Sequence, residues 1–192
     1  MTELILASGS RYRRELLGRL GLKFEVISPD VDERPGPSEA GAELCERLSL
    51  LKARTVAATH PDAVIIGSDQ VAECGGRLLG KPGGIEQAIA QLEFCSGREV
   101  IFHTAVAVVQ GRQELIRRIP TRVRMKSLDG QRIKTYVRRD RPLDCAGAMK
   151  SESLGIVLVE AISSDDPTAL VGLPLIATAS MLEEIGLPVI AD

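Results

Sequence analysis

Two sets of residues in the 192-residue sequence have types and spacings suited to handling phosphate. The first, Ser8-x-Ser10-x-x-Arg13-Arg14, lies where a short apolar run, Leu4 to Ala7, gives way to a helical pattern carrying Leu16, Leu17 and Leu20. A helix start presents free backbone N–H groups, and hydroxyls and guanidiniums beside it would converge on one anion. A triphosphate fits that field, although a capped helix with exposed arginines would carry the same residues. The second set is Glu33, Lys52, Asp69 and Lys81, two carboxylates and two ammonium groups. Phosphoanhydride hydrolysis needs such a set: carboxylates hold a divalent cation, Mg2+ or Mn2+, the metal and the lysines offset oxygen charge, and one carboxylate orients or deprotonates the attacking water. Asp69 leads the set, because a polar residue following a buried run is costly unless it has a function or a partner. Lys52 and Lys81 also fit a solvated helix face and a turn.

Positioning these residues requires a succession of strands and helices. Leu4 to Ala7 reads as a strand, Ser10 as the N-cap of a helix ended by Gly21, and Leu22 to Ser28 as a second strand. Pro29, Pro35, Gly36 and Pro37 mark an acidic loop holding Asp30, Asp32 and Glu33, after which Ser38 is expected to cap a helix running to about Thr59. Ala63 to Gly67 is a continuous apolar run, the pattern of a strand covered on both faces, and it delivers Ser68-Asp69-Gln70 at its end. Cys74-Gly75-Gly76-Arg77 reads as a hairpin turn and Ile85 to Phe94 as a helix. Strands at Val100–Val109 and Glu114–Arg124, a helix capped by Ser127, a strand at Ile156–Ile162 and a helix at Ile176–Glu184 complete the chain. This is an α/β pattern, and no linker is long enough to separate independent domains, so residues 1–192 are read as a single domain.

Composition excludes several classes. Apolar residues make up 44% of the sequence and aromatics 3%, so the core must be aliphatic and stacking platforms for single-stranded nucleic acid are lacking. A net charge of −2 with interspersed signs provides no field for a nucleic-acid polymer. No apolar run approaches a membrane span and the N-terminus lacks the pattern of a secretory signal, so no membrane partner and a cytoplasmic location are expected. Cys45, Cys74, Cys95 and Cys145 contain no C-x-x-C pair, and His60 and His103 are too few for a histidine metal cluster. His103, inside an apolar run, reads as a core or supporting residue. Gly75-x-x-x-x-Gly80-Lys81 superficially matches a P-loop, but Pro82 stands where a Ser or Thr would reach Mg2+, so the match is rejected.

Taken together, Leu4-Ile5-Leu6-Ala7-Ser8-Gly9-Ser10-x-x-Arg13-Arg14-x-Leu16-Leu17, Asp32-Glu33, Lys52-Ala53, Gly67-Ser68-Asp69-Gln70, Gly80-Lys81-Pro82 and Val171-Gly172-Leu173-Pro174 resemble the Maf family of nucleotide pyrophosphatases. The resemblance implies an elongated, two-lobed mixed sheet flanked by helices, of the inosine-triphosphate-pyrophosphatase type, with a central cleft and often a homodimer. It implies metal-dependent release of pyrophosphate from a nucleoside triphosphate. By matching positions, Asp69 takes the place of the proton acceptor, Glu33 of a metal-site carboxylate, and Arg13, Lys52 and Lys81 of phosphate-binding cations. Whether Asp69 is base, metal ligand or both stays open. Gln70 and Cys145 to Glu152 resemble the branch acting on 7-methyl-GTP, whereas the thymidine and uridine triphosphate branch usually carries Thr and Gln where this chain has Gln70 and Glu152. Methylation at N7 makes guanine cationic, which an aromatic face and a carboxylate favour over a neutral base, and Tyr12 and Glu152 supply such a pair. Tyr12 departs from the Trp frequent in that branch. The same reaction on dTTP, UTP or another modified nucleotide, and a nucleotide-sensing regulator of septum formation, are the alternatives.

Overall fold

The computed structural model describes residues 3–190. Seven strands, β1 (Leu4–Ala7), β2 (Glu25–Val26), β3 (Val64–Cys74), β4 (Arg77–Leu79), β5 (Glu99–Gln110), β6 (Gln113–Met125) and β7 (Val159–Ser163), form a sheet ordered β2-β1-β3-β5-β6-β7, with β4 paired to β3. β1 runs parallel to β2 and β3, while β3/β4 and β6/β7 are antiparallel, so the sheet is mixed. Helices α1 (Arg11–Gly18), α2 (Gly41–Ala57), α3 (Ile85–Cys95), α4 (Gly130–Asp140) and α5 (Leu175–Glu184) accompany it, and the α/β class read from the sequence is the class observed. The chain divides into two compact units. The first takes the described residues up to Asp69, then Thr104–Ile119 and those from Asp166 onward; the second takes Gln70–His103 and Pro120–Asp165. Among the described residues no helix is long and apolar enough to cross a membrane.

In the first unit the period of two along each strand sorts side chains onto two faces. Leu4, Leu6, Val64, Ile66, Val106 and Val108 pack with Leu16 and Leu17 of α1 and with Met181 and Leu182 of α5. Ile5, Ala7, Ile65, Ala107 and Val109 pack with Ala53 and Val56 of α2. Strands buried on both faces read as continuous apolar runs, which is why Ala63 to Ile66 shows no alternation.

Several boundaries differ from those the sequence suggests. β3 does not stop before Ser68; it continues to Cys74, so Asp69 lies inside a strand of 11 residues, its Oδ1 accepting from the Lys52 ammonium while the Ser68 hydroxyl donates to the Ala105 carbonyl. β2 has only two residues instead of the expected run from Leu22 to Ser28, because Leu22 and Phe24 turn to pack on the core while Glu25 and Val26 stay exposed at the sheet edge. Ser38 does not cap α2; it adopts a left-handed backbone (φ 58°), and the helix starts after Ala40, whose N–H donates to Glu43 at 3.4 Å. Asp129, not Ser127, caps α4, accepting from Arg132 N–H at 2.8 Å. β7 begins at Val159 because Leu154–Leu158 winds into a 3-10 turn. The hairpin at Cys74–Arg77 is as expected, with Gly75 and Gly76 both at positive φ, the conformation its two-residue turn requires.

Candidate active site

The site grows from a single close approach. A Cβ on Gly67 would lie 2.2 Å from the Ser49 carbonyl oxygen and 2.8 Å from the Ala53 nitrogen, so only glycine lets β3 lie directly against the backbone of α2. Lys52 is the neighbour of Ala53, and Asp69 shares the strand parity of Ile65 and Gly67, so both side chains emerge on the same side. The Lys52 ammonium donates to Asp69 Oδ1 at 2.6 Å, with both side chains about nine-tenths buried. The same nitrogen lies 2.6 Å from Oε1 of Glu33, which is half exposed. One cation therefore bridges two carboxylates, one from the sheet and one from the loop preceding α2.

That loop is itself anchored. Arg34 forks onto the Asp32 carboxylate, with Nε 2.9 Å from Oδ1 and Nη2 2.6 Å from Oδ2. Arg47 of α2 grips Glu39 through Nε at 2.6 Å and Nη2 at 2.9 Å, and donates to the Arg34 carbonyl at 3.1 Å. The arginine contacts pull the Asp32 and Glu39 carboxyls down to about 2. Glu33 lies between the two clamped residues.

A second cation approaches from the turn between β1 and α1. Ser8 is buried, its Oγ accepting from Ser10 N–H at 3.1 Å and lying 3.4 Å from Arg13 Nη1, while Ser10 caps the helix through Arg13 N–H at 3.4 Å. Arg13 Nε donates to the Gly172 carbonyl at 2.8 Å, fixing the guanidinium from behind. Burial lowers its pKa, and the negative charges of Asp69 and Glu33 pull the other way, which places Arg13 within the field of both carboxylates. Ser68, of opposite parity to Asp69, points away from α2; its hydroxyl lies 2.8 Å from the Ala105 carbonyl and 2.9 Å from that of Gly172. The segment carrying Gly172 is held by buried Asp166, which accepts from Thr168 N–H at 3.0 Å and Ile176 N–H at 2.7 Å. Thr168 Oγ1 lies 2.9 Å from the Leu173 carbonyl and accepts from Leu175 N–H at 2.7 Å.

Of the residues singled out in the sequence, Glu33, Lys52 and Asp69 are in direct contact in the first unit, and Ser8 and Arg13 of the same unit are bonded to each other, with the Arg13 charge in the field of the two carboxylates. Arg14 is in the same helix turn and exposed. Tyr12 is half-buried; its ring carries the Arg11 guanidinium 4.7 Å from the centroid, and its hydroxyl accepts from Arg11 Nη2 at 2.7 Å. Gln70, Lys81 and Glu152 belong to the second unit, with Lys81 and Glu152 exposed and Gln70 following Asp69 on β3 with opposite parity. His103 is a half-buried strand residue with Nε2 3.4 Å from Glu73 Oε2. Sequence reading assigned no role to Ser68, Gly172, Asp166, Thr168 or Arg47. Gly172 acts through its carbonyl, which no side chain advertises; its neighbourhood was visible only as the Val171–Pro174 block.

Chemically, the cluster offers an ammonium and a guanidinium to phosphate oxygens and two carboxylates as hard oxygen donors. A family model described as Maf-like protein matches residues 3–185. A curated 7-methyl-GTP pyrophosphatase of Aromatoleum aromaticum is 54% identical over 188 residues, 97% of either chain. Proteins of the same name from Bordetella pertussis (56% over 185 residues, 96% of this chain and 93% of that one) and Thiobacillus denitrificans (50% over 189 residues, 97% and 94%) are similar to a comparable degree. Among solved structures, the Staphylococcus aureus Ham1 protein is 16% identical with a TM-score of 0.49 over 66% of this chain and 73% of that one, too slight a likeness to bear on the fold.

Proposed function

The chain belongs to the Maf family, and from that premise we propose that it hydrolyses a nucleoside triphosphate to its monophosphate and pyrophosphate, with 7-methyl-GTP the preferred substrate. The observation that carries this reading is the Lys52 ammonium held 2.6 Å from both Asp69 and Glu33, with the half-buried Arg13 charge in their field. Such a cluster is poised to trade internal ion pairs for phosphate oxygens.

Arg13, anchored by Gly172, and Lys52 pair with the triphosphate oxygens, and Arg14 meets the same tail from the exposed side of α1. Ser8 and Ser10 shape the turn at the helix start, where an anion is favoured. Asp69 orients the water that attacks the α-phosphorus and accepts its proton as the bond to the pyrophosphate oxygen breaks. Lys52, on the same carboxylate, keeps Asp69 in place and offsets charge on the leaving group. Glu33 and Asp69 are hard oxygen donors drawn close to one point, which suits Mg2+ or Mn2+; a bound divalent ion would supply Lewis-acid stabilisation of the phosphate oxygens. Among the described residues no cluster of three or more His, Cys, Asp or Glu side chains is gathered, so the remaining oxygens would come from the triphosphate and water, as Mg2+ commonly takes them. For Lys81 as a phosphate cation, and for Gln70 and Glu152 at the base, the support is the matching of family motifs. For Tyr12 there is also a physical sign: its ring already holds the planar Arg11 cation, the interaction a methylated guanine would make.

The test is pyrophosphate release from a panel of 7-methyl-GTP, GTP, dTTP and UTP, with and without Mg2+ or Mn2+. The reading expects metal-dependent turnover led by 7-methyl-GTP. Nucleotide binding without pyrophosphate release would make the protein a sensor, and a lead by dTTP or UTP would move it to the other branch.

A further inference from the structure

Glu152 is an exposed turn residue, yet both of its flanks are tied to the last residue of α4. On one side, the Lys150 ammonium donates to the Asp140 carbonyl at 2.9 Å and the Arg141 carbonyl at 3.1 Å, with Asp144 Oδ1 3.9 Å away. On the other, the Ser153 hydroxyl lies 2.9 Å from both carboxylate oxygens of Asp140. The Lys150 N–H also donates to the Tyr136 hydroxyl of α4 at 3.1 Å. The chain then folds back on itself: Ser153 N–H donates to the Lys150 carbonyl at 3.3 Å, and a Cβ on Gly155 would sit 2.4 Å from that carbonyl oxygen.

Lys150 is only 9% exposed, and burying an ammonium is unfavourable unless every donor finds a partner. Closing the helix end does not require it, since a helix C-terminus is ordinarily finished by a left-handed residue, and Arg141 (φ 45°) already adopts that conformation. What the buried lysine adds is a fixed distance between α4 and residue 150, with the negative end of the helix as its counter-charge. Ser153 repeats the tie from the other side, leaving the Glu152 side chain projecting from a backbone fixed at two points.

We propose that Lys150 is a positioning residue for substrate selection: through the C-terminal end of α4 it pre-places Glu152 for a cationic purine base. The inference rests on the proposed function, because it needs Glu152 to select the base. A carboxylate carried on a backbone fixed before binding loses less freedom on meeting the base, so loss of the tie weakens discrimination while the phosphate chemistry persists.

The experiment compares kcat/KM for 7-methyl-GTP and GTP in wild type, Lys150→Met, Ser153→Ala, Glu152→Gln and the Lys150→Met/Glu152→Gln double variant, with thermal unfolding recorded for each. Lys150→Met is expected to lower the 7-methyl-GTP preference about tenfold, through KM with kcat for GTP unchanged, and Ser153→Ala about threefold. The double variant is expected to discriminate no worse than Glu152→Gln alone, the non-additivity of residues acting through one group. If Glu152→Gln loses the preference while Lys150→Met and Ser153→Ala keep it, positioning by Lys150 is wrong and the base reading stands. If Glu152→Gln keeps the preference, the base reading itself fails. Should Lys150→Met not fold, Ser153→Ala decides: an unchanged preference there overturns the inference.

Discussion

At the residue scale the central fact is that Lys52 serves two carboxylates of unequal burial. Asp69, about nine-tenths buried, depends on that ammonium far more than half-exposed Glu33 does. Replacing Lys52 by Met leaves the Asp69 charge without its partner and is expected to destabilise the protein by about 3 kcal/mol in denaturant titration. Neutralising Asp69 at the same time should recover much of the loss, and a purely additive double variant would show that the pair is not coupled. Asp69→Asn alone retains volume and one acceptor for Lys52; it should keep the fold and reduce kcat by about a hundredfold or more. Wild-type turnover in that variant would remove Asp69 from the chemistry.

Among the elements, β3 and α2 are the pair on which the site is built, and Gly67 sets their spacing. A methyl group at 67 meets backbone on α2, which has no flexible end to yield, so Gly67→Ala is expected to cost about 3 kcal/mol and to lower activity by separating Lys52 from Asp69. A variant of wild-type melting temperature would show that the helix shifts freely. The loop bearing Glu33 is held by Arg47 and Arg34, whose partners Glu39 and Asp32 have their carboxyls held down to about 2. A carboxylate whose folded value lies below its unfolded one stabilises the native loop above the ordinary value, and that stabilisation is lost as pH falls through the folded one. The clamps should therefore persist at neutral pH and release only between about pH 4 and pH 2, where carboxyl resonances of Asp32 and Glu39 would titrate. A midpoint near pH 4 for both would show that neither arginine contact is kept in solution. Because the Asp32–Arg34 pair faces solvent, salt should weaken that clamp as well.

Over the whole molecule, the unit that holds Asp69 is assembled from separated stretches of chain, and its last stretch begins at Asp166. That stretch supplies Leu173, Met181 and Leu182 to the core and the Gly172 carbonyl to Arg13 and Ser68. A chain cut after residue 165 should therefore fail to fold the first unit, seen as lost helical circular dichroism and lost pyrophosphate release, and a folded, active fragment would refute the account of the core. By itself the sequence determined the α/β class, the strand-turn-helix at Ser8–Arg13 and the hairpin at Gly75-Gly76, and it singled out Glu33, Lys52, Asp69 and Lys81, of which the first three meet, because periodicity, small-residue turns and charges beside apolar runs are local signals. It misplaced the end of β3, where Lys52 and Ala105, distant in sequence, partner Asp69 and Ser68, and the cap of α2, where Glu43 meets the Ala40 N–H and Ser38 turns left-handed. Only the tertiary structure decided that Lys52 bridges Glu33 and Asp69, that Gly172 anchors Arg13, and that Lys150 ties its turn to α4. Each of these is a meeting of residues far apart in the chain, several through backbone carbonyls, which every residue carries and no sequence pattern marks.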